Sequence, residues 1–342
     1  MSRFDHVVIG AGVMGSATAR ALARSGSRVM LLDQFGVGHK RGSSHGSARI
    51  FRFSYREAMY VEMAIEALGL WRDAESESGA TLVRTTGGLD VGEGISENAA
   101  ALERCRARYE FLDGPEAQRR FPALTLPNDE PVLFQPDSGV IAADDAVATF
   151  VASARAAGAE IREGVRVSAL EQNGAVTVHA GDERIEAGCV VVTAGGWARD
   201  LLASAGIDLP VRPTRETVSY FNFDEEIPTL CDWGHPTVYA LPSPGHGLKA
   251  GEHIAGPTTD PDEEGTINEE SIERVVEWVR ARFPGAEPKP SHSETCIYTN
   301  TEDEHFILER HGNIVVGSAC SGHGFKFAPL IGKRLAALAT ET

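Results

Sequence analysis

Phe4-Asp5-His6-Val7-Val8-Ile9-Gly10-Ala11-Gly12-Val13-Met14-Gly15-Ser16 stands at the head of the chain. An apolar run ends in a G-x-G-x-x-G turn. A helix-like stretch follows to Arg24, and a second apolar run, Arg28 to Leu32, stops at Asp33. This order predicts a βαβ unit that binds a dinucleotide. Gly10 allows the tight turn, Gly12 lets a pyrophosphate approach the backbone, and Gly15 lets helix and strand pack closely. Met14 lies within the same turn. The free N–H groups and partial positive charge of the helix N-terminus face the phosphates. Asp33, 18 residues beyond Gly15, is placed to accept hydrogen bonds from a ribose.

Composition narrows the function. A chain of 342 residues is long enough for two domains, or for one domain carrying a large insertion. Its net charge of −17 repels nucleic acid from most of the surface. No apolar run approaches the roughly 18 residues of a membrane span, and no signal-like segment precedes the first strand. The expectation is a cytoplasmic protein without membrane or nucleic-acid partners. The five cysteines are widely spaced without a C-x-x-C pair, and the eleven histidines show no helical H-x-x-x-H. Neither a disulfide framework nor a metal site is expected. Lysines number only five, and two of them, Lys249 and Lys326, lie in glycine-rich contexts.

Hydrophobic periodicity organises the rest. Helices are expected over 56–78, 96–108, 115–121, 144–157 with Asp144 as N-cap, 267–283 and 327–339. Strands are expected over 85–91, 159–162, 166–171 and 175–179. Residues 189–193 form a fully apolar strand that runs into Ala194-Gly195-Gly196-Trp197 and would extend the first unit in parallel. Residues 211–223, 238–241 and 247–250 alternate like an antiparallel sheet, 291–299 are extended, and 314–317 are a buried strand. The fold class is therefore α/β plus antiparallel β. A Rossmann-like nucleotide domain (1–82, 137–208 and 291–342) is interleaved with a substrate domain on a mixed or antiparallel sheet (83–136 and 209–290). Pockets form at such junctions.

Five further motifs occur in order: Gly42-Ser43-Ser44-His45-Gly46-Ser47-Ala48-Arg49-Ile50-Phe51-Arg52, Gly247-Leu248-Lys249-Ala250-Gly251-Glu252-His253, Cys296-Ile297-Tyr298-Thr299, Asp303-Glu304-His305-Phe306, and Ser321-Gly322-His323-Gly324-Phe325-Lys326-Phe327. Together they resemble the monomeric sarcosine oxidase and N-methyltryptophan oxidase family of amine oxidases over nearly the whole chain. The tail that many members carry after the last helix is expected to be missing. The resemblance implies FAD, the D-amino-acid oxidase-like fold, a monomer, and a covalent 8α-S-cysteinyl bond at Cys296. By residue type alone Cys296 is one of five cysteines. A flavin attachment site would need a lowered thiol pKa, for which His45 and Arg49 are the matching cations.

The resemblance also assigns roles. Arg52 and Lys326 match the pair that holds the substrate carboxylate, one a bidentate fork and the other a point charge. Tyr239 and His253 match residues lining the substrate site, and Tyr298 lies beside the flavin. Lys249 matches the lysine that promotes reaction of reduced flavin with oxygen. Ser44, Gly322, Gly324, Phe325 and Lys326 fall in matching cofactor loops. The implied reaction oxidises a small secondary amino acid (N-methyl or cyclic) to an imine that water hydrolyses, with oxygen reduced to hydrogen peroxide. A flavin dehydrogenase feeding a carrier or quinone, a nicotinamide dehydrogenase and a non-catalytic flavin-binding protein are the alternatives. Lys249 favours the oxidase, and the complete set of charges argues against a decayed site.

Overall fold

The computed structural model describes residues 3–341. Its first sheet has at its centre the strand Arg3–Ile9, flanked in parallel by Val29–Asp33 and Glu183–Val192. Glu160–Glu163 extends it in parallel beyond Val29–Asp33, and Ile314–Ser318 joins the C-terminal half of Glu183–Val192. Strands of this kind are covered on both faces and read as continuous apolar runs. Val7, Val8, Leu31, Leu32, Val190 and Val191 are accordingly buried without residual exposure. The helix Val13–Arg24 packs against both Ala143–Ala156 and Ala328–Thr340 over one face. An antiparallel branch, Val167–Asn173 and Ala175–Ala180, hangs from the N-terminal half of Glu183–Val192.

A second eight-stranded sheet runs in the order His292–Asn300, Arg212–Phe221, Gly247–Glu252, Val238–Ser243, Thr229–Trp233, Gly88–Gly92, Val132–Gln135 and Glu110–Leu112. It is antiparallel except where Thr229–Trp233 meets Gly88–Gly92. The helix Glu269–Arg282 buries Val275 and Val279 against its outer face, with Phe221, Leu248 and Ala250. A small sheet of Ala48–Phe51, Gly139–Ala142 and Val83–Thr85 lies in between. Among the described residues no helix is long and apolar enough to cross a membrane.

Three local expectations change. The strand His292–Asn300 was grouped by sequence with the C-terminal nucleotide segment. It instead pairs along its whole length with Arg212–Phe221, as the edge of the second sheet. The strand expected over 85–91 splits into Val83–Thr85 and Gly88–Gly92, because Gly87 turns the chain at φ +77° and sends its halves to different sheets. Asp144 is not the N-cap of its helix. It lies in the first turn and its carboxylate accepts the Gly46 N–H at 2.9 Å, tying the glycine-rich loop to the helix N-terminus.

Candidate active site

The glycine turn has the geometry its sequence predicts. Gly10 adopts φ +98°, and a Cβ there would lie 2.6 Å from the Thr193 carbonyl oxygen. A Cβ on Gly15 would fall 1.8 Å from the Gly10 carbonyl oxygen, so neither position accepts a side chain. The Ser44 hydroxyl accepts the Val13 N–H at 3.0 Å, which places this loop serine over the helix N-terminus. Asp33 does more than await a ribose. Its carboxylate accepts the N–H groups of Ala11, Phe35 and Gly36 at 2.8–2.9 Å, clasping the glycine turn to the end of the second strand.

From this turn a cavity of about 470 Å³ runs between the two large sheets. Its lining includes Gly10, Gly12, Met14, Asp33, Ser44, His45, Arg49 and Arg52 from the N-terminal segments. It also includes Tyr239, Lys249, His253, Cys296, Tyr298, Gly322, Gly324, Phe325 and Lys326. The fold thus brings nearly all the sequence-derived residues to one wall system; Gly15 packs just behind the turn. The Gly322 loop is equally constrained. A Cβ on Gly322 would lie 2.3 Å from the Tyr298 ring and 2.8 Å from His253, and one on Gly324 would lie 1.8 Å from the Ala319 carbonyl oxygen.

Two basic groups face this cavity. In the first, Arg52 donates to the Ser54 carbonyl, and its guanidinium lies 4.0 Å from the Tyr55 ring centroid and 5.0 Å from that of Trp233. Lys326 Nζ donates to Tyr55 Oη at 2.8 Å and to the His323 carbonyl at 2.5 Å. Burial and the neighbouring Arg52 hold the Lys326 ammonium well below the ordinary lysine range. Burial, Arg52 and Lys326 bring His253 down to about 4, so it is neutral at pH 7. Neither cation forms an ion pair among the described residues.

In the second group, Arg49 donates to the carbonyls of Ala48, Ser43 and His45 at 2.7–2.9 Å. Lys249 is 4% exposed, and burial followed by the charge of Arg49 lowers its ammonium to about 7. Burial and Arg49 also bring His45 down to about 4. His45 is therefore not the expected cation; Arg49 and Lys249 are the cations acting on Cys296, and Glu216 opposes them. The expected lowering of the Cys296 thiol is not found either. Burial pushes it up to about 11 and outweighs both cations.

Sequence reasoning missed several participants. Tyr55 and Trp233 sandwich Arg52, and Asp90 fixes Trp233 by accepting its indole N–H at 2.7 Å. An acid inside the apolar stretch Gly88-Leu89-Asp90-Val91 was the available signal. At the far end of the cavity, Asp262 accepts from the Trp197 indole at 2.7 Å and from Arg166 at 2.9 Å, and Arg41 covers Phe35 at 4.6 Å. The two Asp262 pairings join distant segments and leave no local trace.

The residues fit FAD. The cradle consists of glycines at which a Cβ would collide, and it opens onto the N-terminus of the helix Val13–Arg24. Both ring nitrogens of buried His45 lack a hydrogen-bond partner among the described residues. The cavity is long enough to join the glycine turn to both basic groups.

A βαβ nucleotide cradle opening into a two-sheet cavity lined by buried cations defines a flavin-dependent oxidoreductase. The chain belongs to the FAD dependent oxidoreductase family, whose pattern matches residues 5–338, and within it to the sarcosine oxidase relatives. It is 35% identical to a peroxisomal sarcosine oxidase of Homo sapiens, covering 97% of this chain and 91% of that protein. It is 31% identical to a monomeric sarcosine oxidase of Bacillus sp. (strain B-0618), covering 99% and 92%. Among solved structures it resembles NikD, an unusual amino acid oxidase essential for nikkomycin biosynthesis. The TM-score is 0.91 at 28% identity, covering 100% of this chain and 95% of that one.

Proposed function

We propose that this protein oxidises small secondary amino acids, N-methyl or cyclic, and passes the electrons to oxygen as hydrogen peroxide. One observation carries the reading: Lys326 is buried and Arg52 partly buried, both face the cavity, and both donate only to uncharged oxygens. A buried cation without a counter-ion is costly. At Lys326, on which no carboxylate acts, a substrate carboxylate supplies the missing charge, and the planar Arg52, stacked between Tyr55 and Trp233, offers it a preset fork.

The Gly10–Gly15 turn, Asp33, Ser44 and the Gly322–Phe325 loop would hold FAD, and Cys296, whose thiol burial raises while Arg49 and Lys249 draw it down, would be the site of a cysteinyl bond to the FAD 8α carbon. When bound, it supplies the acceptor for two electrons and a hydrogen. The protein does the rest. Arg52 and Lys326 fix the carboxylate and so orient the C–H next to nitrogen. Neutral His253, together with Tyr239 and Tyr298, lines the space around the amine. The walls keep bulk water out until the substrate has become an imine; water then splits an acyclic imine into a carbonyl compound and an amine, or opens a cyclic one to a single amino-carbonyl product. Lys249 places positive charge where oxygen gains electrons, in a setting of low dielectric. The same reading takes the protein as a cytoplasmic monomer.

A peroxide-coupled screen of secondary amino acids tests the proposal. One peroxide per substrate oxidised is expected, and turnover that needs an artificial electron acceptor would replace the oxidase with a dehydrogenase. The covalent bond has its own test. Yellow colour should stay with acid-precipitated protein, and Cys296→Ser should release it to the supernatant. Free flavin from the unaltered protein would remove the bond from the proposal.

A further inference from the structure

The second basic group contains an acid that the proposed reaction does not use. Glu294 lies on the strand His292–Asn300, two residues before Cys296, and so on the same face of the sheet. Its Oε1 accepts the Tyr220 hydroxyl at 2.5 Å, and its Oε2 lies 3.9 Å from His45 Nδ1. Tyr220 stands directly opposite Lys249 on one neighbouring strand and directly opposite His292 on the other. Its ring stacks on His292 at 4.2 Å and lies 5.3 Å from Lys249 Nζ. Gly46, at φ +103°, lets the loop settle here. A Cβ on it would lie 3.4 Å from Glu294 Oε1, 3.5 Å from Arg49 and 3.5 Å from Lys249 Nζ.

We propose that Glu294, anchored by Tyr220, is the positioning residue that keeps Lys249 cationic within the cavity. The inference rests on the role given to Lys249 above. Carboxylate and ammonium lie within about 7 Å of each other, close enough in a partly buried setting to move a lysine by roughly a pH unit. The other groups facing Lys249 do not supply the charge. Arg49 opposes it, and His45, Cys296 and Tyr220 are neutral at pH 7. Asp144 is the second acid, but it is engaged by the Gly46 N–H and burial raises its carboxyl. Glu294 is held below the ordinary carboxylate value: burial works against ionisation, and Tyr220, Lys249, His45 and Arg49 outweigh it. Its side chain is 22% exposed, so its charge equilibrates with solvent.

The direct measurement is the Lys249 titration in flavin-loaded protein, followed by the ¹³Cε resonances of labelled lysine. Only five lysines are present, and Lys249→Met identifies the relevant signal by its loss. Glu294→Gln is expected to lower the midpoint by about one unit, and Glu294→Asp to restore most of it. Reoxidation by oxygen should follow the same titration, about tenfold slower than wild type at pH 8 and within about twofold at pH 6. An unchanged Lys249 midpoint in Glu294→Gln overturns the proposal, whatever Lys249→Met does to the rate. If the midpoint moves while Lys249→Met reoxidises normally, the counter-ion stands and the oxygen role of Lys249 falls. Should Glu294→Gln not fold, Tyr220→Phe replaces it. A smaller fall in the same direction is then expected, and an unmoved midpoint overturns the proposal.

Discussion

The cavity buries two lysines, each beside an arginine, and treats them in opposite ways. Lys326 has two close hydrogen bonds, to Tyr55 Oη and the His323 carbonyl, and no carboxylate acting on it. Lys249 shares its surroundings with Glu294 and Asp144. One lysine is positioned and left without a counter-ion; the other is supplied with negative charge. The difference matches what each group would meet in the proposed reaction. An anionic substrate brings its own charge to Lys326. In the proposed reaction oxygen would arrive neutral and acquire charge only as it is reduced, so Lys249 would have to be charged beforehand.

The comparison breaks most readily at the oxygen end. Lys249→Met retains the apolar stem and removes the ammonium. Reoxidation by oxygen should slow on the order of 10²- to 10³-fold, the usual consequence of losing one stabilising group at a developing negative charge. Anaerobic reduction by substrate should change far less, and stopped-flow traces of the two half-reactions separate them. Reoxidation at the wild-type rate would make the two lysines functionally alike and reopen the dehydrogenase reading.

The substrate end comes next. Arg52→Ala should lower kcat/KM for carboxylate substrates by about 10²-fold, since a charged hydrogen bond and the alignment it imposes are both lost. Amines without a carboxylate should barely respond, and equal losses for both would remove the clamp. A smaller effect sharpens the contrast. Lys326 sits well below the ordinary lysine value, so it loses its proton as pH rises, and a bound carboxylate draws that proton back. KM for carboxylate substrates should therefore climb with pH, by up to about tenfold per unit, while KM for uncharged analogues stays flat.

The smallest expected effect concerns His45. Its value falls from 6.5 to about 4 on folding, mainly through burial. Because the folded value is depressed, the neutral ring contributes stability above about pH 6.5, and this is lost as pH falls toward 4. Replacing it with Gln should reduce the drop in Tm between pH 7 and pH 5 by about 2–4 °C. Identical pH dependence of Tm in the two proteins would show that the ring does not titrate in this way.

What could be read from the sequence was local in origin. The glycine turn and the motif loops each declare their chemistry within a dozen residues, and Asp33 within the same βαβ unit, because tight turns and helix N-termini are local constructions. Glu294 shows where that stops. Its alternation with His292 and Cys296 was visible, but its meeting with Lys249 depends on a register in which Tyr220 faces both neighbouring strands. The Arg52 sandwich likewise needs Trp233 from one strand, Tyr55 from a loop and Asp90 from a third segment. The thiol of Cys296 was misjudged for a related reason: nearby cations can be inferred from motifs, whereas the burial that outweighs them exists only in the folded molecule.

The strand His292–Asn300 belongs to the second sheet, whereas the glycine turn is built on the first. On the proposed binding, a cofactor gripped at one end by the turn and at the other by Cys296 would be a stitch between two halves of the molecule. Part of its binding free energy is spent on holding those halves in register. Flavin-free protein should unfold in two separable steps, with limited proteolysis first cutting the connections between the sheets, and flavin-loaded protein in a single step. In that sense the chromophore is a piece of the scaffold, and its loss is first a mechanical failure and only then a chemical one.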